Sequence, residues 1–207
     1  DDLLPNYIME EPEDDAEAVR RILSDANERI VDWVNERHTP FDGSPHEVMG
    51  TTALVALYRE GIMTLGSLGD SRAYLQSGPG LEQLSIDHNL WTLSILDGME
   101  ADEALSMPQG EALARCLGTF DLEEGSLVPR EPDYDVMQCR IAEGDTLLLT
   151  TDGLVDFAAG TPVAAEENIL ATLLSEPNPE LACLELILLA NRGGGGDNIG
   201  LGVLRFE

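Results

Sequence analysis

From Glu13 to Glu36 the apolar residues Val19, Ile22, Leu23, Ala26, Ile30, Trp33 and Val34 recur at steps of three and four, the pattern of one face of an amphipathic helix. A polar stretch from Arg37 to His46, containing Pro40, Gly43 and Pro45, ends it. Two runs of small, aliphatic and β-branched residues follow, Thr51 to Tyr58 and Ile62 to Leu68, separated by Arg59-Glu60-Gly61. They predict a β-hairpin. Arg72 to Gln76 and Leu81 to Ile86 predict two more strands, and the connections are too short for a parallel crossover, so the sheet is expected to be antiparallel. Between Asn89 and Glu131 the pattern loosens, with short helices expected at Leu90 to Leu96 and Ala101 to Leu105. Thr146 to Thr151 is a continuous apolar run of the buried-strand kind, followed by helices over Glu166 to Ser175 and Pro179 to Asn191. After the glycine run Gly193 to Gly196, Ile199 to Phe206 predicts a last strand. Strands grouped with strands and helices with helices indicate an α+β fold.

Charge narrows the function classes. The chain of 207 residues carries a formal net charge of -29, and all 11 of its basic residues are Arg. Such a surface repels phosphate backbones and anionic lipid, which argues against nucleic acid and membrane as partners and favours cations and basic protein segments. No apolar run approaches the roughly 20 residues that cross a bilayer. The start, Asp1 to Glu11, lacks the basic and apolar regions of a signal peptide. Cys116, Cys139 and Cys183 are odd in number and far apart, which fits reduced thiols and a cytoplasmic location better than a disulfide framework or a zinc cluster.

Three acidic residues share one local setting: each stands at the end of an apolar strand, in a turn containing glycine. They are Asp70 in Gly69-Asp70-Ser71-Arg72, Asp152 in Thr151-Asp152-Gly153, and Asp197 in Gly196-Asp197-Asn198. A carboxylate fixed beside a glycine that permits close backbone approach suits a hard cation with oxygen ligands, Mg²⁺ or Mn²⁺. Singly, Asp-Gly and Asp-Asn are ordinary turn formers. His38, His46 and His88 are isolated in polar surroundings and are expected at the surface, while Trp33 and Trp91 are expected in the core or at a docking face. The glycine run has no following Lys and precedes a strand, which excludes a phosphate-binding loop.

In order and spacing, Met49-Gly50-Thr51-Thr52-Ala53, Gly69-Asp70-Ser71-Arg72-Ala73-Tyr74-Leu75, Leu84-Ser85-Ile86-Asp87-His88, Leu113-Ala114-Arg115-Cys116-Leu117-Gly118, Gly144 to Leu154 and Gly196-Asp197-Asn198-Ile199 resemble the successive motifs of bacterial PPM-type, or type 2C, protein phosphatases. The resemblance runs from about Leu4 to Phe206. It implies a β-sandwich of two antiparallel sheets flanked by helices, with a metal cluster at one end. Asp152 and Asp197 would bind two core Mg²⁺ or Mn²⁺ ions and act in catalysis, and Asp70 would bind a third ion. Residues 89–115 would form a flap that influences access, and the substrate would be a phosphorylated protein. The expected reaction is hydrolysis of phosphoserine and phosphothreonine by metal-activated water.

Members of that family begin with strands carrying an Asp and an Asp-Gly-x-Gly-Gly turn that bridges both metals. Neither is found in this chain, where Asp1 to Ile8 resemble the tail of the helix after that turn. The expectation is therefore one phosphatase-like domain over 1–207, monomeric and incomplete at its N-terminus, with little turnover by itself. Asp42-Gly43 is the one candidate substitute, in a polar loop. The rival expectation is a pseudophosphatase, a fold kept as a binding or regulatory module.

Overall fold

The computed structural model describes residues 14–38 and 48–207. Asp1 to Ile8, Asp42-Gly43 and His46 lie outside the described residues. In chain order the elements are α1 (Asp15–His38), β1 (Ala53–Arg59), β2 (Ile62–Leu68), β3 (Arg72–Ser77), β4 (Gly80–Gln83), α2 (Leu90–Leu96), α3 (Ala101–Leu105), β5 (Phe120–Glu123), β6 (Ser126–Pro129), β7 (Asp135–Arg140), β8 (Thr146–Thr150), α4 (Asp152–Ala158), α5 (Pro162–Ser175), α6 (Pro179–Arg192) and β9 (Leu201–Arg205). They form two compact units. The first takes the chain as far as Gly69 and then His88–Cys139, and the second comprises Asp70–Asp87 and Arg140–Glu207. Antiparallel strand pairing with helices packed on it is the expected α+β class.

In the first unit β1 and β2 form the expected hairpin, paired from Ala53↔Leu68 to Arg59↔Ile62. Glu60 and Gly61 both take positive φ at its turn, as a tight turn that follows the strand twist requires. The sheet order is β1-β2-β7, and β5-β6 is a separate hairpin. Helix α1 starts at Asp14, whose carboxylate accepts the Ala16 N–H at 2.9 Å, and Asp15 and Glu17 in its first turn oppose the positive end of the helix dipole. It buries Val19, Leu23, Val31 and Val34. Trp33, expected in the core or at a docking face, is 43% exposed under the Arg37 guanidinium.

A polar residue stands in the middle of that buried stripe. Asn27 is 1% exposed; its Nδ2 donates to the carbonyls of Thr119 and Arg130, and its Oδ1 accepts from the N–H groups of Gly118 and Thr119. One helix turn pair further on, Asn35 exchanges two hydrogen bonds with the backbone of Leu127 in β6. The two amides bind α1 to chain about ninety residues away, doing for a strand edge what another strand would do.

In the second unit β8 lies at the centre of a sheet ordered β4-β3-β8-β9. Tyr74 and Leu148 from this sheet share a core with Leu154 and Val155 of α4, Ile169 and Leu173 of α5, and Leu186 and Ala190 of α6. Helix α5 is capped by Thr161 and begins with Pro162; α6 is capped by Asn178 and begins with Pro179, both standard start signals. Arg205 of β9 donates to the carbonyls of Leu173 and Glu176 at the end of α5, where unpaired carbonyls favour a cation.

The sequence pattern missed β5, β6, β7 and α4. The β5 and β6 strands have four residues each, the first mixing charged with apolar positions and the second ending in Pro, and α4 has seven residues beginning Asp-Gly, a pair that signals a turn. Asn27 generates a stability test. Replacing it with Ala leaves the Gly118 and Thr119 N–H groups without their acceptor, while the Thr119 and Arg130 carbonyls keep the Arg130 N–H and the Thr119 hydroxyl, and the expected loss is about 2 kcal/mol, measured as a shift in urea midpoint at constant m-value. A loss below about 1 kcal/mol would mean that water fills the vacated positions.

Candidate metal centre

The strand β8 ends at Thr150, and Thr151 takes extended backbone before α4 begins at Asp152. A threonine at this position ordinarily caps its helix, but Thr151 makes no side-chain cap. Its hydroxyl instead donates to the Asn198 carbonyl at 3.2 Å and accepts from the Gly200 N–H at 3.0 Å, while its own N–H donates to the Gly200 carbonyl at 2.9 Å. The segment 193–200 thus runs back along α4 in backbone contact. A Cβ at Gly193 would stand 1.9 Å from the Phe157 carbonyl oxygen; one at Gly153 would stand 2.4 Å from that of Asn198 and 3.5 Å from the Asp197 Cβ. No residue but glycine fits there. The glycine run is thereby explained as a spacer of no width that delivers Asp197 beside the start of α4, and Asp197 is braced by the Asn198 N–H donating to its Oδ1 at 2.7 Å.

Asp70 belongs to the same unit and is partly buried. Burial first, and then the charge of Asp152, raise its carboxyl above the ordinary value of 3.8, with Asp87 adding to the rise and Arg72 opposing it. The cation next to it in sequence is committed elsewhere. Arg72 donates through Nε to both oxygens of Asp87 at 3.0 Å and through Nη2 to Oδ2, and Gln83 donates to the same carboxylate at 2.9 Å. Burial acts to lower the Arg72 pKa, yet the Asp87 carboxylate outweighs it and holds the guanidinium firmly charged. Beneath it, burial pushes the Tyr74 phenol up to about 12.

The three sequence-chosen residues belong to one unit: Asp70 feels the charge of Asp152, and the Asp197 Cβ lies against Gly153. Their donor atoms are all carboxylate oxygen, which suits Mg²⁺ or Mn²⁺ rather than zinc. Among the described residues no group of three or more His, Cys, Asp or Glu stands close enough to enclose an ion, so these carboxylates do not by themselves make a complete ion site.

His88 overturns its expectation of a surface position. It is fully buried in the first unit, where its Nδ1 accepts the Gly69 N–H at 3.1 Å and its Nε2 lies 2.9 Å from Asp135 Oδ2. Its motif neighbour Asp87 is the partner of Arg72. Nothing in the sequence beyond the adjacency of Asp87 and His88 in that motif signals either role. Arg115 pairs with Asp133 at 2.9 Å and reaches Asp135 at 3.7 Å.

The family model for Protein phosphatase 2C matches residues 3–94 of the chain. The serine/threonine phosphatase stp of Listeria monocytogenes is 30% identical over 184 residues, covering 87% of this chain and 64% of its own length. The chain thus spans somewhat under two thirds of that relative. The crystal structure of the Mycobacterium tuberculosis serine/threonine phosphatase PstP/Ppp superposes with a TM-score of 0.77 at 28% identity, over 99% of this chain and 78% of that one. A structure of the PstP catalytic domain in complex with 2 manganese ions gives a TM-score of 0.68 at 25% identity, over 98% of this chain and 77% of the other.

The raised Asp70 carboxyl carries a sign. A carboxyl that holds its proton more tightly folded than unfolded lowers stability as pH rises from the ordinary value through the folded one, and the cost persists above it. In metal-free buffer Asp70→Asn is expected to remove that limb of the pH profile and to melt above the wild type at pH 7. Calorimetry with EDTA present checks this, and a variant melting at or below the wild-type temperature would refute net repulsion at Asp70.

Proposed function

We propose that the chain belongs to the protein phosphatase 2C family and that the protein containing it hydrolyses phosphoserine and phosphothreonine in phosphorylated proteins with Mg²⁺ or Mn²⁺ as cofactor. One observation carries the reading: Asp70 is held within the field of Asp152, while Arg72, two residues on, is hydrogen-bonded to Asp87 and offsets that field only in part. Two like charges kept together with only partial compensation from a protein cation cost stability, and the arrangement becomes favourable when a divalent ion joins them. The manganese in the PstP neighbour supports the same choice of ion.

In this reading Asp152 and Asp197 hold the two core ions and Asp70 a third. When bound, the metals supply Lewis acidity toward phosphoryl oxygen and lower the pKa of a coordinated water. The chain's own part is placement. Thr151 and Gly153 fix the Asp152 and Asp197 segments against each other, so the carboxylates need no reorganisation to receive cations. A pseudophosphatase that used only its surface would have no need of this repulsion, and the catalytic reading is favoured over it on that ground. Residues 89–115, which include α2 and α3, would serve as the flap of the family.

In the protein containing this chain, Asp152→Asn and Asp197→Asn are each expected to lower turnover of a phosphothreonine peptide by at least about a hundredfold. Asp70→Asn is expected to lower it less and to leave substantial activity at high Mn²⁺. Steady-state kinetics across a Mn²⁺ titration test this ranking. Near wild-type turnover by Asp152→Asn at limiting Mn²⁺ would sink the assignment of the core site.

A further inference from the structure

We infer that the outward face of α6 is a docking surface for a basic amphipathic helix of another protein. Helix α6 carries two apolar stripes where a surface helix needs one. Ala182, Leu186 and Ala190 are fully buried. Away from them, Leu181, Leu184 and Leu188 are 49%, 51% and 42% exposed. At 3.6 residues per turn these three leucines fall within about 60° of one another, on the side of the helix opposite the buried stripe. Polar residues are the rule at the centre of a solvent-facing side, and a row of half-exposed leucines there marks an interaction surface. Docking on it does not depend on the reading of Asp70, Asp152 and Asp197 as cation ligands.

The platform is built in advance. The Asn178 side chain accepts from the Glu180 and Leu181 N–H groups at the start of α6, and at its end the Gly193 N–H donates to the carbonyls of Leu189 and Ala190. With both ends closed and one side packed inward, the leucines stand on a rigid element, and docking loses little to the ordering of this chain.

The rim decides what sits there. Glu185 borders the leucine row on one side and Glu180 on the other, and both are exposed. Through α5 and α6 the charged residues are Glu166, Glu167, Glu176, Glu180 and Glu185, with Arg192 as the one cation. An apolar row in an acidic border takes a helix that offers apolar side chains between Lys or Arg residues. A second copy of the chain does not fit this description, since it would bring a formal charge of -29 against another of -29. The 14 residues of α6 also give a footprint about 21 Å long and about 10 Å wide, well short of the roughly 800 Å² that each partner buries in a stable dimer. These 207 residues hold no basic segment that could fold back, because all 11 basic residues are Arg and no more than two are adjacent. An anionic membrane is repelled by the same glutamates. A basic helix needs only the one face: the acidic surface steers it in and the leucines hold it.

The test uses the protein containing this chain and three fluorescein-labelled helical peptides of about 18 residues. The first has leucines at helical spacing and lysines elsewhere, the second the same leucines with glutamates, and the third the lysines with alanine in place of leucine. Fluorescence anisotropy at about 150 mM salt is expected to show saturable binding of the first peptide alone. Combining Leu184→Gln with Leu188→Gln, both at exposed positions, is expected to shift the melting temperature by less than about 3 °C and to weaken that binding at least about tenfold. Combining Glu180→Gln with Glu185→Gln is expected to weaken it less and to flatten its salt dependence. Equal binding of the first peptide by the wild type and the leucine variant would show mere adsorption to a negative surface and overturn the proposal. Equally tight binding of the glutamate or alanine peptide would overturn it too, as would no binding of the first peptide up to about 1 mM. Sedimentation of the wild type covers the remaining occupant: a dimer that the leucine substitutions dissociate would assign the face to a second copy and overturn the proposal of a basic partner.

Discussion

Two backbones are allowed to touch in the second unit, and the placement of its acidic side chains depends on that contact. At Gly153 the carbonyl of Asn198 occupies the space where any other residue would carry its first side-chain carbon. A larger residue would lift the 193–200 segment away from α4 and break the bonds from the Thr151 hydroxyl that hold it. The glycines after α6 follow from the same need, since Gly193 and Gly196 lie against Phe157 farther along α4. A run that looks like low complexity is thus a surface of contact. The tolerance it imposes is a few tenths of an ångström, the scale on which ligand sites must be held.

Charge is organised around that contact in an unusual way for a chain with 40 acidic and 11 basic residues. Arg72 is locked to Asp87, Arg205 closes the end of α5, and Arg115 answers Asp133 and Asp135. None of the three serves as the main counter-charge of Asp70 or Asp152. A fold optimised for stability alone would have spent one of them there, because a buried or half-buried carboxylate left beside another is penalised by both desolvation and repulsion. Local disagreement between stability and arrangement of this kind is what a functional site produces.

The setting of Asp70, after β2 in a glycine turn, was legible because glycine and aspartate leave a mark there, whereas Asp152 opens helix α4 and Asp197 precedes β9 instead of each ending a strand in a turn. The hairpin at Glu60-Gly61 was legible for the same reason, as a local steric rule, whereas α5 was expected only from Glu166 and begins a turn earlier, at Pro162 behind its Thr161 cap. His88 and Asn27 were not legible. Each is polar and flanked by nothing diagnostic, and each is buried because its partners come from elsewhere in the chain: Gly69 and Asp135 for the first, Gly118, Thr119 and Arg130 for the second. Periodicity registers what a residue avoids, which is water, and is silent on what it binds. Helix α4 was lost for a different reason, since its first two residues are a turn signal and only the core formed by Leu154, Val155 and Ala158 pays for the helix.

Gly153 shows a solution to one problem. A carboxylate presented from a tight turn needs glycine for geometry, and glycine brings the freedom that would blur the carboxylate's position. Here a neighbouring side chain takes that freedom away by bonding backbone rather than carboxylate. The Thr151 hydroxyl grips the Asn198 carbonyl and Gly200 N–H. Bonding the backbone places the acidic segments without drawing on the carboxylates, of which Asp197 takes one direct bond, from the Asn198 N–H, and further direct bonds would stabilise the charge without a cation and compete with ligation. Precision in such a site therefore resides in residues that never touch the ion, and these are the residues whose motif positions look least informative when the sequence is all there is.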